Sequence, residues 1–542
     1  MRCLPWLLLA LLAPTAAQAA TYHVAKAAQG GSNSNSCTAA QSVSTPKLTI
    51  AAGLSCITGG GNTLLIRVGT YDERLIDNVP SGTSWDNSVR IANYNGETVT
   101  LFPTSGGGDA IHLANAQKFI EFDGINLTCT ATVGHCVFFG NNGGAPISTR
   151  PTDTRFINGS IQGRTSSSGS VPSCFWVGGV RGYYANTDCT GDHAEYCFYV
   201  RGHDNIIEDN DCHGVSYGGV HIYGGSEPAP TGNIVRDNRI HDIVTSFFFG
   251  VADLRTFGIY VSGNNSQIYN NVVHDLDLPM VQDDDSCIVI DAGSGNLVYN
   301  NTCTDNTATG GIKMSSGASG TIVRNNIFWA NTGPNTSNYR NFGSNTTCSH
   351  NVNGGAGCTS NVTGDPQFTN VGANDFSLTS SSSARDTGTS IAAVAGIVTH
   401  DIIGTVRPQG SSHDIGAYEF FTGGGSTPPT VVITGPTSGE THATSTSPLT
   451  TFAGTCTDVD GTVSSVTWVN DRGGSGTASC SGCGTASATW SVPAGIALQT
   501  MDNVLTVTCT DSSMLTHPDS LTVTYTEPVS APAGRRLRLV LP

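Results

Sequence analysis

Four short segments place chemically active side chains at equivalent positions of one pattern. They are Gly219-Val220-His221-Ile222-Tyr223, Gly258-Ile259-Tyr260-Val261-Ser262, Cys287-Ile288-Val289-Ile290-Asp291 and Gly311-Ile312-Lys313-Met314-Ser315. Apolar residues alternate with outward-pointing ones in each, which is typical of a strand with one buried face. One outward position holds His221, Tyr260, Val289 and Lys313, and the next holds Tyr223, Ser262, Asp291 and Ser315. An imidazole, a phenol and an amine at matching positions favour proton-transfer chemistry.

These side chains meet only if the four segments are adjacent strands of a parallel sheet. Neighbouring strands then lie about 4.8 Å apart, so side chains from two or three of them reach one ligand ring. We predict that His221, Tyr260 and Lys313 converge in this way. The base is His221 or Lys313 and the acid is Tyr260, and the residues predicted to bind substrate are Tyr223 and Asp291.

Internal repeats indicate the elements that would position these residues. Five segments share an apolar residue, two variable residues and an asparagine: Ile207 to Asn210, Val235 to Asn238, Ile268 to Asn271, Val298 to Asn301 and Val323 to Asn326. The asparagines are 28, 33, 30 and 25 residues apart, which suits one solenoid coil per repeat. Each repeat consists of short β-branched runs between Gly/Asn turns, without a helical period. We therefore predict stacked β-coils with a hydrogen-bonded asparagine column.

The repeats extend beyond these five coils. Weaker versions begin at Ile120, Phe156 and Tyr184, and we place the whole solenoid at residues 21–421. The coils that carry His221, Tyr260 and Lys313 also carry the longest insertions, 244–257 and 278–286. Long loops on a solenoid are commonly functional, so we expect these two to rise beside the groove.

The chain resembles the pectate-lyase-like superfamily of right-handed parallel β-helices. Thr21-Tyr22-His23-Val24 and Ile66-Arg67-Val68-Gly69-Thr70-Tyr71 resemble the amino-terminal cap and first coil of its right-handed β-helix repeat proteins. Arg407-Pro408 and Asp414-Ile415-Gly416-Ala417-Tyr418-Glu419-Phe420 resemble the closing element of members described as having a choice-of-anchor domain. The resemblance covers about three quarters of the chain, and it implies an all-β fold acting on polysaccharide.

The chemistry that this resemblance favours is β-elimination of a polymer containing uronic acid. Such a reaction needs a base, an acid for the leaving oxygen and a cation that stabilises the enolate. We assign Arg255 to clamp the substrate carboxylate. The acidic run Asp283-Asp284-Asp285 is a candidate Ca²⁺ site, with a solvated loop as the equal alternative.

Two other functions stay open. Polygalacturonase-like hydrolases use two carboxylates and carry a Gly-His-Gly motif. This chain has only Asp283-Asp284 and Gly311-Ile312-Lys313 of that pattern. A non-catalytic adhesive or carbohydrate-binding solenoid is the remaining alternative.

Further histidines and aromatic residues have a structural and a functional interpretation. The column His213, His241 and His274 could bind a metal, but we favour stacking at one turn of each coil. Tyr183, Tyr184, Phe247, Phe248 and Phe249 could stack on sugars, and packing explains them equally well.

The amino terminus and the cysteines indicate export. Residues 1–20 have an early arginine, an apolar run and Ala17-Gln18-Ala19, which is the pattern of a secretory signal peptide. Without Cys3, 16 of the 17 cysteines remain, an even number suited to disulfides. Candidate pairs are Cys37 with Cys56, Cys129 with Cys136, Cys287 with Cys303 and Cys348 with Cys358. The close pair Cys480 and Cys483 has zinc-ligand spacing, the minority interpretation. We expect a secreted protein, with association to a cell surface left open.

A second domain follows the solenoid. Residues 422–429 form a Gly/Ser/Pro linker, 430–527 an immunoglobulin-like β-sandwich and 528–542 a basic tail. Cys456, Trp468 and Cys509 have the order of the sandwich disulfide and its core tryptophan. We favour a spacer role for this module over carbohydrate binding.

Net charge restricts the partners. A formal charge of −17 disfavours nucleic acid, whereas a local basic patch or a bound cation still allows an anionic polysaccharide. We also expect no membrane span and a monomer.

Overall fold

Two separate units make up the computed structural model, and nearly all of their regular structure is β-strand. The structure describes residues 19–105, 108–130, 134–140, 146–163, 173–191, 194–225, 228–244, 256–277, 286–306, 310–332, 338–421, 428–459, 461–512 and 515–527. The first unit ends at residue 419, and the second begins at residue 420 and includes residues 403–405. Each unit has its own hydrophobic core.

The first unit is a right-handed parallel β-helix whose coils pass in turn through three parallel sheets. Sheet 1 has twelve strands: Thr21–Val24, Thr63–Ile66, Val89–Asn93, Lys118–Asp123, Thr152–Ile157, Tyr183–Ala185, Ile206–Glu208, Ile234–Arg236, Gln267–Tyr269, Leu297–Tyr299, Ile322–Arg324 and Thr347–Ser349. Sheet 2 has ten: Gly69–Tyr71, Val99–Leu101, Ile125–Thr128, Ser160–Gln162, Asp188–Thr190, Asp211–His213, Arg239–His241, Val272–Val273, Thr302–Thr304 and Ile327–Trp329. Sheet 3 has ten: Leu75–Ile76, Ile111–Leu113, Val137–Phe139, Phe175–Val177, Tyr196–Val200, Gly218–Ile222, Phe257–Val261, Ser286–Ser294, Gly310–Ser319 and Tyr339–Asn341.

The first unit also contains smaller elements. Two α-helices span Ile50–Leu54 and Ala392–Ala395, and 3₁₀ turns span Ala27–Gln29, Ala39–Gln41, Trp85–Asn87, Ile147–Thr149 and Val371–Ala373. A short parallel pair joins Ile243–Val244 to Leu276–Asp277, and an antiparallel pair joins Phe368–Asn370 to Asp375–Leu378. The segment Thr21–Val24 is an edge strand of sheet 1, next to Thr63–Ile66, where the sequence resemblance places the first coil.

The predicted asparagine column is present at the turn between sheets 1 and 2. The Nδ2 of Asn210 donates to the Oδ1 of Asn238 at 2.9 Å, and this bond repeats at 2.9 Å from Asn238 to Asn271, from Asn271 to Asn301 and from Asn301 to Asn326. The residue before each asparagine has a positive φ, for example 53° at Asp209 and 56° at Asn270. Asp and Asn tolerate this left-handed conformation, which explains why they fill the position.

Residues after the last coil return along the outside of the helix. Val394 and Val398 pack on Tyr269 and Tyr299 of sheet 1. Phe376, Ala417 and Tyr418 pack on Val272 of sheet 2. The outer faces of sheets 1 and 2 are therefore partly covered by this returning segment. The outer face of sheet 3 carries an aromatic cluster formed by its own strands and the turn before one of them.

The predicted closing element anchors the returning segment. Arg407 and Glu419 form a fully buried ion pair with 2.8 Å between Nη1 and Oε2. The Nδ2 of Asn300 donates to the carbonyl of Asp414 at 2.9 Å, and the Oη of Tyr418 is 2.8 Å from Nη2 of Arg239. Burial raises the pKa of Glu419 and outweighs the opposing effect of Arg407. These contacts attach the segment to the coils.

Eight disulfides join the 16 cysteines of the described chain. The pairs Cys37–Cys56, Cys129–Cys136, Cys287–Cys303, Cys348–Cys358 and Cys456–Cys509 agree with the predictions. Two pairs, Cys174–Cys189 and Cys197–Cys212, were not predicted. Each joins the sheet 3 part of one coil to the sheet 2 strand of the next coil. Cys480 and Cys483, the candidate zinc ligands, are bonded to each other. So many disulfides fit an oxidising, extracellular compartment.

The second unit is a small antiparallel sandwich. One sheet orders its strands as Thr430–Gly435, Ala453–Thr457, Ser487–Ser491 and Ser479–Ser481. The other orders them as Thr441–Thr444, Thr516–Tyr525, Met501–Asp511, Val463–Asn470 and Ser475–Thr477, with a parallel pairing of the first two. The Cys456–Cys509 disulfide connects the two sheets.

The core tryptophan of the sandwich differs from the prediction. Trp468 is half-buried, and Trp490 is only 2% exposed and stacks edge-on against Phe452. The indole N–H of Trp490 donates to the carbonyl of Thr455 at 3.2 Å. Gly454 lies opposite Trp490, and a Cβ at Gly454 would come within 2.7 Å of the indole ring. The absence of a side chain at Gly454 makes room for Trp490, a neighbour relationship that cysteine spacing does not reveal.

Among the residues that the structure describes, no helix is long and apolar enough to cross a membrane.

Candidate active site

The four segments with matching outward positions are adjacent strands of sheet 3, in the predicted register. His221 pairs with Tyr260, Tyr260 with Val289, and Val289 with Lys313. The intervening apolar residues Val220, Ile259, Ile288 and Ile312 are paired in the same way and are buried in the core. The alternation therefore identified both the register and the outward face.

The column of outward side chains continues in both directions. Its members, in order of coils, are Ile76, His112, Phe138, Trp176, Tyr199, His221, Tyr260, Val289, Lys313 and Arg340. Aromatic rings dominate the first half and cations end the second. The ring centroids of Tyr199 and His221 are 5.2 Å apart, and those of His221 and Tyr260 are 4.9 Å apart.

Only two of the three predicted catalytic side chains are in contact. His221 and Tyr260 meet edge to face, on adjacent coils. Lys313 lies two coils beyond Tyr260, which is about 10 Å along the axis, and Val289 lies between them. Tyr260 and Lys313 are 5% and 4% exposed, so both are buried although they point outward. The structure thus brings His221 and Tyr260 together and separates Lys313 from them, and their action on one sugar ring stays a prediction.

The second outward column carries the residues predicted to bind substrate. Tyr223 is 36% exposed and stacks on Tyr199 with centroids 5.4 Å apart. Asp291 is half-buried and accepts a hydrogen bond of 3.0 Å from the hydroxyl of Ser262. This hydrogen bond attaches the Asp291 side chain to the neighbouring coil.

Several predicted residues lie outside the described part of the chain. These are Arg255, Asp283, Asp284 and Asp285, together with Phe247, Phe248 and Phe249. The carboxylate clamp and the calcium site stay predictions. Within the described residues, no group of three or more His, Cys, Asp or Glu side chains is arranged to hold a metal ion.

An aromatic cluster surrounds the His221–Tyr260 pair. Tyr196 and Phe257 stack on one another with centroids 5.9 Å apart and tilt against the His221 ring at 5.0 and 5.6 Å. Gly218 lies between them in the register, and a Cβ there would come within 2.4 Å of the Phe257 ring. Glycine at 218 is therefore what lets the two rings meet across an intervening coil.

A carboxylic acid that the sequence analysis missed adjoins this cluster. Glu195 precedes the strand Tyr196–Val200, and its side chain is hydrogen-bonded to Tyr196. Burial raises the pKa of Glu195 to about 7, although the Tyr196 hydroxyl opposes the shift. The backbone carbonyl of Glu195 accepts the N–H of Tyr217 at 3.0 Å. The only sequence signal was a lone acid at the start of the Tyr-rich run Glu195-Tyr196-Cys197-Phe198-Tyr199.

The arrangement is suited to proton transfer. A carboxyl group with a pKa near 7 exchanges protons readily at neutral pH. His221 and Tyr260 supply a second base and a phenolic donor within the same aromatic surroundings. Perturbed acids that adjoin other titratable groups are common at catalytic sites.

The histidine column on sheet 2 has the stacked geometry that we favoured. The His213 and His241 rings are 5.2 Å apart, and those of His241 and His274 are 4.9 Å apart, each pair at 6°. Burial lowers the pKa of His241, but its bonds to Asp211 and Asp242 outweigh this and raise it. Burial lowers the pKa of His274, whose ring packs against Phe376. These rings tie the coils together beneath the returning segment.

The three stacked parallel sheets define a right-handed parallel β-helix, and solved structures with this fold include enzymes that act on polysaccharides. Pectate lyase Pel9A superposes with a TM-score of 0.51 at 15% identity, over 74% of this chain and 96% of the lyase. A GH136 lacto-N-biosidase from Eubacterium ramulus has a TM-score of 0.44 at 11% identity, over 63% of this chain and 67% of its own. The A-module of the Azotobacter vinelandii mannuronan C-5 epimerase AlgE6 has a TM-score of 0.40 at 14% identity, over 64% of this chain and all of the module. At such identity the likeness to Pel9A establishes the fold alone. No protein-family model and no curated protein matches the sequence.

Proposed function

We propose that the protein is a polysaccharide lyase that cleaves a uronic acid-containing polymer by β-elimination on the outer face of sheet 3. The observation that carries the proposal is the contact of His221 with Tyr260 beside Glu195 and Tyr196. These residues give one face of the solenoid a base, a phenolic acid and an ionisable carboxyl group.

In the proposed reaction, His221 removes the proton on the carbon next to the uronate carboxyl group. The C–H electrons form a carbon–carbon double bond, the bond to the glycosidic oxygen breaks, and the leaving oxygen takes a proton from Tyr260. His221 then releases its proton to solvent, and the Tyr260 phenolate takes a proton back from solvent, which restores both groups. Lys313, two coils beyond Tyr260, is the alternative base, in which role its amine would be neutral.

Charge supports an anionic substrate. The chain has a formal charge of −17, yet Arg201, Lys313 and Arg340 all lie on the outer side of sheet 3. Cations distributed along one face can attract a polyanion to an acidic protein.

Glycoside hydrolysis is a second candidate, and Glu195 is the observation that favours it. A carboxylic acid with a pKa near 7 is suited to protonate a glycosidic oxygen. The two reactions differ in their products, since only elimination leaves an unsaturated sugar end. A binding protein without activity would give neither product.

The test is an assay of purified protein on uronate polymers, with added Ca²⁺ and with a chelator in parallel. We expect ultraviolet absorbance from unsaturated ends, reduced at least 100-fold in His221→Ala and in Tyr260→Phe. Arg181→Gln, at an exposed arginine that lies in the turn before the sheet 1 strand Tyr183–Ala185 and is ion-paired with Asp153, is the matched control and should keep full activity. Saturated reducing ends without absorbance would favour hydrolysis. No new ends on any polymer, or unchanged absorbance in both variants, would refute the lyase.

A further inference from the structure

Arg201 lies between two aromatic rings on the outer face of sheet 3. Its guanidinium carbon is 5.4 Å from the centroid of Trp176 and 5.3 Å from that of Tyr223. Tyr199, two residues before it, contacts both rings at 4.7 and 5.4 Å. Arg201 is half-buried among three aromatic side chains.

Two glycines explain why the guanidinium can lie there. Arg201 follows Val200 at the end of its strand, as Tyr223 follows Ile222 on the next coil. Gly178 and Gly140 follow the paired strands on the two preceding coils, and a Cβ at Gly140 would come within 2.6 Å of Gly178 Cα. Gly178, which follows the Trp176 strand, has no side chain at the position equivalent to Arg201, and the Arg201 guanidinium carbon lies 5.4 Å from the Trp176 ring.

Such a setting suits recognition of a carboxylate. Cation–π contacts on both sides restrict the guanidinium, so little conformational entropy remains to be lost on binding. A planar guanidinium binds a carboxylate through two parallel hydrogen bonds, which an ammonium group cannot do. Aromatic surroundings also exclude water and strengthen the ionic contact.

We propose that Arg201, with Trp176 and Tyr223, binds the carboxylate of the uronic acid residue adjacent to the one cleaved. This rests on the proposed function, because it assumes that His221 marks the reacting sugar. Arg201 shares its coil with Tyr199, which pairs with His221, so the two sites are one coil or about 4.8 Å apart along the axis. The polymer then follows the helix axis, with free carboxyl groups required on the Trp176 side.

The experiment compares two probes of equal size: a linear uronic acid hexamer and its fully methyl-esterified form. Binding is measured by calorimetry in a His221→Asn background, so that cleavage does not consume the probe. We expect Arg201→Gln to weaken binding of the acid hexamer about tenfold and to leave binding of the methyl ester within twofold. Arg201→Lys should lie between, since it keeps the charge and loses the paired geometry.

The control is Arg181→Gln, which removes one positive charge from an exposed side chain bonded to Asp153. Equal weakening in Arg181→Gln would mean that only net charge matters and would overturn the proposal. So would an unchanged affinity in Arg201→Gln, equal loss of both probes, or no binding of the acid hexamer by the parent protein. Thermal unfolding of each variant identifies misfolding. If Arg201→Gln is misfolded, the affinities of Arg201→Lys for the two probes decide whether the proposal holds. Because the readout is binding, discrimination without cleavage would support Arg201 while refuting the lyase.

Discussion

Single residues on sheet 3 show what alternation can and cannot predict. The pattern around His221 and Lys313 predicted the register of four strands, because side chains of a strand point to opposite faces in turn. It did not predict that Tyr260 and Lys313 are buried, since periodicity says which face a residue occupies and not what lies against that face. Glu195 was missed because it precedes its strand and has no counterpart in the repeat.

Glu195 makes a testable contribution to pH-dependent stability. Its pKa is raised on folding, so its contribution is fully present below the unfolded value of about 4.5 and is lost as pH rises through about 7. Glu195→Gln cannot ionise and avoids that loss. We expect the variant to match the parent at pH 4 and to be more stable by about 1–3 kcal/mol at pH 8.

Thermal unfolding at both pH values measures this difference. Glu440→Gln, an exposed glutamate of the second unit, should change stability by less than about 0.5 kcal/mol at either pH. A Glu195→Gln variant that is less stable at pH 8 than at pH 4, relative to the parent, would contradict the raised pKa.

At the scale of the element, the asparagine turn explains why this fold could be predicted. Its signal repeats in consecutive coils from Asn210 to Asn351, and one side chain, such as that of Asn271, satisfies backbone groups of two coils at once. Disulfides between cysteines that are close in sequence could be predicted because such cysteines are also close in space. Cys174–Cys189 and Cys197–Cys212 were not predicted, because Cys189 is closer in sequence to Cys197 than to Cys174 and spacing alone leaves the pairing open.

Asn271→Ala tests the importance of this column. Asn271 is fully buried, donates to the carbonyl of Val235 and accepts from both amide nitrogens of Asn238. Truncation leaves these buried groups unsatisfied, so we expect a loss of about 2–4 kcal/mol in the free energy of unfolding. Chemical denaturation measures it.

The matched substitution is Asn341→Ala, at an exposed residue that accepts one hydrogen bond from Gly343. It should cost less than about 0.5 kcal/mol. If the two substitutions cost the same, the column would contribute no more than an ordinary surface amide.

At the scale of the whole molecule, the chain contains two independent cores. No residue of the helix core belongs to the sandwich core among the described residues. Removing a disulfide from one unit should therefore destabilise that unit alone. Calorimetry of the whole protein separates the two unfolding transitions.

We expect Cys456→Ala/Cys509→Ala to lower the stability of the sandwich by about 2–5 kcal/mol and to leave the helix transition unchanged, because the bond spans 53 residues of that unit. The reciprocal pair, Cys197→Ala/Cys212→Ala, should shift only the helix transition. A single transition that moves in both variants would show that the units unfold together.

The regular register of sheet 3 fixes the spacing of the side chains along its outer face. Outward side chains in one column are separated by whole numbers of coils. Inserting or deleting one coil between two of them therefore changes their separation along the axis by about 4.8 Å, and no smaller change is possible. Under the proposed function, duplicating a repeat would lengthen the stretch of polymer that this face contacts and would leave His221 and Tyr260 in place.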